Sequence, residues 1–209
     1  MDYLQHLIER YPSLCGIKEE IFKAYTLLLT AFEGGGKVLV AGNGGSAADA
    51  EHIVGELMKG FVKKRPLPTA FRSNLQQINA DAADYIGSAL QQGLPAIALS
   101  SHTALTSACI NDIDGNSIYA QQVYGYGVAG DVFLGISTSG NAKNVWYAMI
   151  TAKAKGLSAI ALSGGSGGAL VQIADVSIIV PETETYKIQE LHLPIYHTLC
   201  LMVEDHFFT

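Results

Sequence analysis

Val38-Leu39-Val40-Ala41-Gly42-Asn43-Gly44-Gly45-Ser46-Ala47-Ala48-Asp49-Ala50 carries the reading of the fold: a short apolar run, a turn of small and polar residues, then a helical pattern. An apolar run without polar alternation is the mark of a strand covered on both faces. Four more such runs follow, at Ala96 to Leu99, Val132 to Ile136, Ala159 to Leu162 and Val176 to Val180. Helical patterns separate them, so the strands are expected to be parallel with helices on each side of the sheet. The expected class is α/β, in three layers. Ahead of the first strand, Ile17, Ile21, Phe22, Tyr25, Leu28, Leu29 and Phe32 recur at helical spacing, and Gly34-Gly35-Gly36 stops that helix.

Composition bounds the function. At 209 residues, 49% hydrophobic and 15% charged, the chain reads as one domain, 1–209, with a full core and a helical segment over 1–33. A net charge of -6 argues against a nucleic-acid surface, which needs a basic stripe. No apolar run reaches the roughly 18 residues of a membrane span, and Met1 to His6 do not open a signal peptide, so a cytoplasmic protein is expected. Cys15, Cys109 and Cys200 lie far apart and read as small core residues in a reducing compartment.

The strand-turn-helix unit echoes along the chain, over Val38 to Ala50, Val132 to Val145 and Ala159 to Leu170, and Leu99-Ser100-Ser101-His102-Thr103 opens a fourth. In doubly wound sheets, ligands bind beyond the carboxyl ends of the strands, where these turns lie. The first turn formally matches G-x-G-x-x-A, but Ala96 to Ser101 lacks the acidic residue that would hold a ribose, and no Walker motif occurs. It reads better with Gly44 and Gly45 for close backbone approach, Ser46 as N-cap and the Asn43 amide offered to sugar hydroxyls. The turn Gly135-Ile136-Ser137-Thr138-Ser139-Gly140-Asn141 leads into a helix from about Ala142. Three hydroxyls at a helix N-terminus make a phosphate cradle. Asn111-Asp112 reads first as a turn signal and second as a sugar contact.

Chemistry concentrates on His52 and Glu56, four residues apart and so on one helix face, where an imidazole and a carboxylate can hold a metal or pass a proton. Gln189 and His197 form a second signal near the C-terminus. Eight residues span about 12 Å of helix, so one ion reaches both only through a bend, for which a kink or helix start at Pro194 is a candidate, or from different subunits. His192 reads as a packed histidine, and His6, His102 and His206 belong to no constellation. Lys59, Lys63, Lys64, Arg65 and Arg72 follow the Glu56 helix without an intervening acid and suggest a positive rim that steers an anionic substrate.

Together, Gly42 to Ser46, His52-x-x-x-Glu56, Gly135 to Asn141 and Ile188-Gln189-Glu190-x-His192 resemble the sugar isomerase (SIS) domain proteins and, among them, the phosphoheptose isomerases. The resemblance implies a five-stranded parallel sheet flanked by helices, a homotetramer with sites at subunit interfaces, and bound zinc. It implies His52, Glu56, Gln189 and His197 as metal ligands, although glutamine is a poor zinc ligand by its chemistry. It further implies Asn43, Gly44, Gly45, Glu56, Asn111, Asp112, Ser137, Thr138, Ser139 and Gln189 as substrate contacts.

The chain departs from the pattern at Ala142, where the family often has a serine, and in an insertion of roughly residues 64–93 with a helical stretch over Leu75 to Leu90. Ile78, Ala82, Ile86 and Leu90 are its apolar positions, and a lid or subunit contact is its expected use. The chemistry the resemblance implies converts sedoheptulose 7-phosphate to D-glycero-D-manno-heptose 7-phosphate through an enediolate, with Glu56 as base, His197 as acid and zinc polarising the carbonyl. Related regulators that bind sugar phosphates without turning them over lack this Glu and final His. Larger SIS enzymes carry two such units or a longer chain.

Overall fold

The computed structural model of the protein describes residues 2–208. Helices α1 (Tyr3–Arg10) and α2 (Lys18–Glu33) lead to β1 (Val38–Ala41), α3 (Gly45–Met58), α4 (Thr69–Ile78), α5 (Ala80–Ala89) and β2 (Ala96–Ala98). The chain continues through α6 (Thr103–Asp112), α7 (Ile118–Tyr126), β3 (Val132–Ile136), α8 (Lys143–Ala154), β4 (Ser158–Gly164), β5 (Val176–Val180) and α9 (Thr185–Phe207). The five apolar runs are the five strands, all parallel, in the order β2-β1-β3-β4-β5. Strand order reverses between β1 and β3, which places the crevice of the doubly wound sheet beyond their carboxyl ends.

Alternation along the strands splits the core in two. Val38, Val40, Leu134 and Ile160 face α1, α2, α3 and α9, whereas Leu39, Phe133, Ala159 and Ala161 face α6, α7 and α8. Both faces of each central strand are therefore dry, which is why the sequence shows no polar alternation there. The α2 helix ends at Glu33 and its cap is Gly34, as the three glycines predict.

Several local expectations are corrected. Ser46 is not the N-cap of α3: Gly44 holds that position at φ 59°, and Ser46 is buried inside the first turn. The unit from Ala159 to Leu170 leads only into a three-residue 3-10 turn, Leu170–Gln172, because four glycines precede it and no apolar periodicity follows. The stretch from Leu75 to Leu90 is two helices rather than one: Asn79 ends α4 and caps α5 through its side chain, which accepts from the Ala82 N–H. Ala83 and Gly87 are its buried residues, while Ile78 is 81% exposed. Cys15 is exposed in the turn after α1, although Cys109 and Cys200 are buried as expected.

No helix starts at Pro194, since α9 runs through it for 23 residues. The proline deletes one backbone donor, and the largely buried face of α9 compensates by packing on α2 and α3. Arg65 and Glu204 lock the segment after α3 to this helix. Both are about 1% exposed or less, and the Glu204 carboxylate accepts from Arg65 Nε at 2.9 Å and from the Phe61 and Val62 N–H groups at 2.7 and 2.9 Å.

Candidate active site

Two turns meet at the reversal of strand order. The one after β1 is held by Tyr119 at the start of α7, whose hydroxyl donates to the Gly42 carbonyl at 2.6 Å. Asn43 and Asn144 exchange side-chain hydrogen bonds of 2.9 and 3.0 Å, tying this turn to the first residues of α8. The one after β3 is braced from behind: Ser163 Oγ donates to the Ser137 carbonyl at 2.7 Å, and the Asn141 side chain accepts from the Ala169 N–H and donates to the Ser139 carbonyl. The α8 helix begins at Lys143 with no capping side chain at Ala142, and among its first N–H groups that of Val145 donates to the Asn144 side chain at 2.9 Å. Ser137 is buried and Ser139 exposed, a gradient from sheet to solvent across the three hydroxyls.

The second half of the site lies on the seam of α3 and α9. His52 Nε2 stands 3.3 Å from Glu56 Oε1 and 3.5 Å from His197 Nε2. Glu56 is 12% exposed, and its second oxygen accepts from Lys59 Nζ at 2.8 Å. On its far side, His52 Nδ1 is 3.1 Å from the Tyr196 hydroxyl, which reaches Asp49 Oδ1 at 3.2 Å. A cleft of about 210 Å³ opens beside His197, with Phe61 and, from α1, His6 and Arg10 in its wall. His6 thus borders the cleft, while His102 and His206 bind Gln122 and Glu33 elsewhere.

Burial, followed by the neighbouring His52, holds the His197 imidazole below the usual histidine range, against the pull of Glu56. His197 is therefore neutral at pH 7, with one nitrogen carrying a proton and the other a lone pair. Burial likewise raises the Tyr196 phenol well above its ordinary value, with Asp49 adding to it, so the hydroxyl keeps its proton.

As a metal centre the arrangement is partly formed. Among the described residues, no group of three or more His, Cys, Asp or Glu side chains closes on one point as a metal site. Two donor pairs do have the right separation: ligands at about 2.0–2.1 Å in a tetrahedron stand about 3.3–3.4 Å apart, close to the 3.3 and 3.5 Å measured through His52 Nε2. The donor set of two imidazoles and a carboxylate fits zinc.

A family model described as the SIS domain matches residues 2–84 and 76–164, well over half of the chain. The chain belongs to the SIS domain family. Phosphoheptose isomerase 2 of Campylobacter jejuni is 39% identical over 202 residues, covering 92% of this chain and 88% of that protein. The phosphoheptose isomerase of Aneurinibacillus thermoaerophilus is 35% identical over 217 residues, covering 99% and 95%. A solved phosphoheptose isomerase from Francisella tularensis superposes with a TM-score of 0.75 at 30% identity, over 97% of this chain and 95% of that one. This SIS domain therefore stands in the phosphoheptose isomerase group, among enzymes that isomerise sugar phosphates.

In this SIS domain the residues singled out by sequence fall into two groups. His52, Glu56 and His197 come together, as do Asn43, Gly44, Gly45, Ser137, Thr138 and Ser139 at the two turns. Gln189 does not join His52. Its amide packs on Gly45, where an added Cβ would meet Gln189 Nε2 at 2.5 Å, and Gly45 lies about 10 Å of helix rise before His52. Asn111 and Asp112 sit exposed at the end of α6, where Asn111 donates to Asp112 at 2.7 Å. The Asn43 amide, expected to face sugar hydroxyls, is engaged by Asn144.

The positive rim is largely spent on structure. Arg65 is buried against Glu204, Lys63 pairs with Asp205, Lys59 with Glu56, and Arg72 donates to the Gly87 carbonyl, which leaves Lys64 as an exposed residue of the stretch. Sequence reasoning missed Tyr196, Asp49, Tyr119 and Asn144. Asp49 could have been found, three residues before His52 on the same helix face. The others are brought in by tertiary contacts with no local signal.

Proposed function

We propose that this chain interconverts sedoheptulose 7-phosphate and D-glycero-D-manno-heptose 7-phosphate by proton transfer through an enediolate. The carrying observation is that Glu56 Oε1 and His197 Nε2 each stand close to His52 Nε2, at 3.3 and 3.5 Å, with an open cleft beside His197. In the ketose direction Glu56 removes the C1 proton, and a proton from His197 reaches the C2 oxygen. Glu56 then returns a proton to C2 while His197, left without its proton, takes the C1 hydroxyl proton, so the carbonyl moves from C2 to C1 and both residues recover their starting state. Ser137, Thr138, Ser139 and the N–H groups of α8 hold the phosphate without a lysine.

Zinc is part of the same reading: His52, Glu56 and His197 would hold it, with Gln189 of a second copy as the remaining protein ligand. When bound, it supplies positive charge against the developing oxyanion. A homotetramer with sites at its interfaces is supported by the large apolar side chains of Met58 and Val62, 50% and 63% exposed, which follow Glu56 and await cover. Among the described residues no helix is long and apolar enough to cross a membrane; work in the cytoplasm on a phosphorylated sugar is part of the proposed reading.

The test is sedoheptulose 7-phosphate incubated with the purified protein in D2O and followed by proton NMR. Appearance of an aldose heptose phosphate with deuterium at C2 is the expected result. No aldose product, with the protein folded, would remove this substrate.

A further inference from the structure

Nothing in the isomerase reading uses Tyr196, yet it is 2% exposed and makes two polar contacts with α3. Its ring sits edge-on to His52, with centroids 5.5 Å apart and planes at 73°. Its hydroxyl is 3.1 Å from His52 Nδ1 and 3.2 Å from Asp49 Oδ1. Burial raises the Asp49 carboxyl, with the Tyr196 hydrogen bond and His52 pulling it back. The phenol has one proton to give, it is directed at Asp49 Oδ1, and as a carboxylate Asp49 can only accept it. The Tyr196 proton therefore goes to Asp49, and the phenol oxygen must accept the other contact. Acceptance is possible only if His52 carries its proton on Nδ1, which leaves a lone pair on Nε2, the atom that faces Glu56 and His197.

We propose that Tyr196 is a positioning residue of this site: bridging Asp49 and His52, it fixes His52 as the Nδ1–H tautomer and aims the Nε2 lone pair at the point shared with Glu56 and His197. An imidazole that binds a metal or accepts a proton through one nitrogen is held in register by a hydrogen bond from the other. Here that bond runs through a tyrosine to a carboxylate on the same helix as the histidine. Asp49, one turn before His52, supplies the charge that orients the phenol. Because Tyr196 adjoins His197 in α9, a single helix both presents the acid and sets the tautomer of its neighbour. The effect on turnover rests on the isomerase reading, whereas the tautomer does not.

The experiment is a long-range proton–nitrogen NMR correlation on the metal-free, 15N-histidine-labelled full chain at pH 8, with the His52 signals assigned by their loss in His52→Gln. The expected wild-type pattern has a protonated Nδ1 and a bare Nε2. In Tyr196→Phe, which keeps the ring, the pattern should move to the Nε2–H form or to an average of the two. The same variant should lose roughly 10–100-fold in kcat on sedoheptulose 7-phosphate with KM within about twofold. An Nε2–H tautomer in the wild type overturns the proposal even if the variant fails to fold. A His52 that keeps the Nδ1–H form in Tyr196→Phe overturns it whatever the rate. Since the spectrum is taken without substrate, an inactive wild type would refute the proposed reaction and leave the tautomer assignment to stand or fall by itself.

Discussion

Replacing Arg65 by methionine removes a buried cation that three parts of the molecule depend on. Its Nη1 and Nη2 donate to the carbonyls of Leu57 and Glu56 at 2.7 and 3.1 Å, which closes the C-terminal end of α3, and its Nε donates to Glu204 at 2.9 Å. With both side chains about 1% exposed or less, the variant leaves a carboxylate in the core with only backbone N–H partners. Breaking such a pair costs about 3–5 kcal/mol, and a domain of this size loses about 2–4 °C per kcal/mol. A drop of roughly 10 °C in the thermal midpoint at pH 7 is therefore expected.

The pH dependence carries a sign. Burial alone would raise the Glu204 carboxyl, but the Val62 and Phe61 N–H groups and the Arg65 guanidinium hold it below the usual carboxylate range. A lowered carboxylate contributes stability that is complete above its ordinary value and is lost as pH falls through the folded value. The gap between wild type and Arg65→Met should therefore narrow on acidification toward pH 4. Circular-dichroism melts at pH 7 and below pH 4.5, the ordinary value that the folded carboxyl undercuts, measure both effects. A midpoint within about 2 °C of wild type at pH 7, where the transition is two-state, would refute the claim that Arg65 is structural and return it to the cleft rim.

Two further predictions concern histidines. Protein purified without chelator should contain zinc close to one ion per chain by elemental analysis, and His52→Ala/His197→Ala should contain almost none, because a site assembled by the fold loses affinity sharply with each ligand; equal zinc in both would remove these residues from any metal site. His192 is fully buried, and burial pushes its imidazole down to about 4 against the pull of the Ser163 carbonyl. A histidine kept neutral in the fold costs nothing above its ordinary value near 6.5 and destabilises progressively as pH falls toward 4. Urea midpoints should therefore fall between pH 6.5 and 4.5 in wild type and fall less in His192→Gln; parallel curves would show that His192 titrates freely.

The strands were legible because their chemistry is local: Val38 to Ala41 and Val132 to Ile136 are apolar on both faces, and the sheet that buries them is dry on both faces. His52 and Glu56 were legible for the same reason, as i and i+4 positions on one helix. Arg65 was not, because a basic residue in a basic loop looks solvated until Glu204, 139 positions away, arrives beside it. Ser46 looked like a cap by residue type, but the tight turn at Gly44 starts α3 two residues earlier and turns Ser46 inward. The break at Asn79 was masked by helical spacing on both sides. Tyr196 precedes His197 by about 100° of helix rotation in projection, and no periodicity groups it with a residue on α3.

The central claim is that Glu56 moves the proton. Its most direct test is the turnover of sedoheptulose 7-phosphate by Glu56→Gln, measured beside wild type with zinc content and circular dichroism in hand. Loss of a general base lowers the rate by about 10²–10⁴-fold, so the account predicts at least that fall in kcat with an unchanged fold and unimpaired substrate binding. A folded Glu56→Gln protein that turns over within about tenfold of wild type, less than a general base contributes, would contradict it.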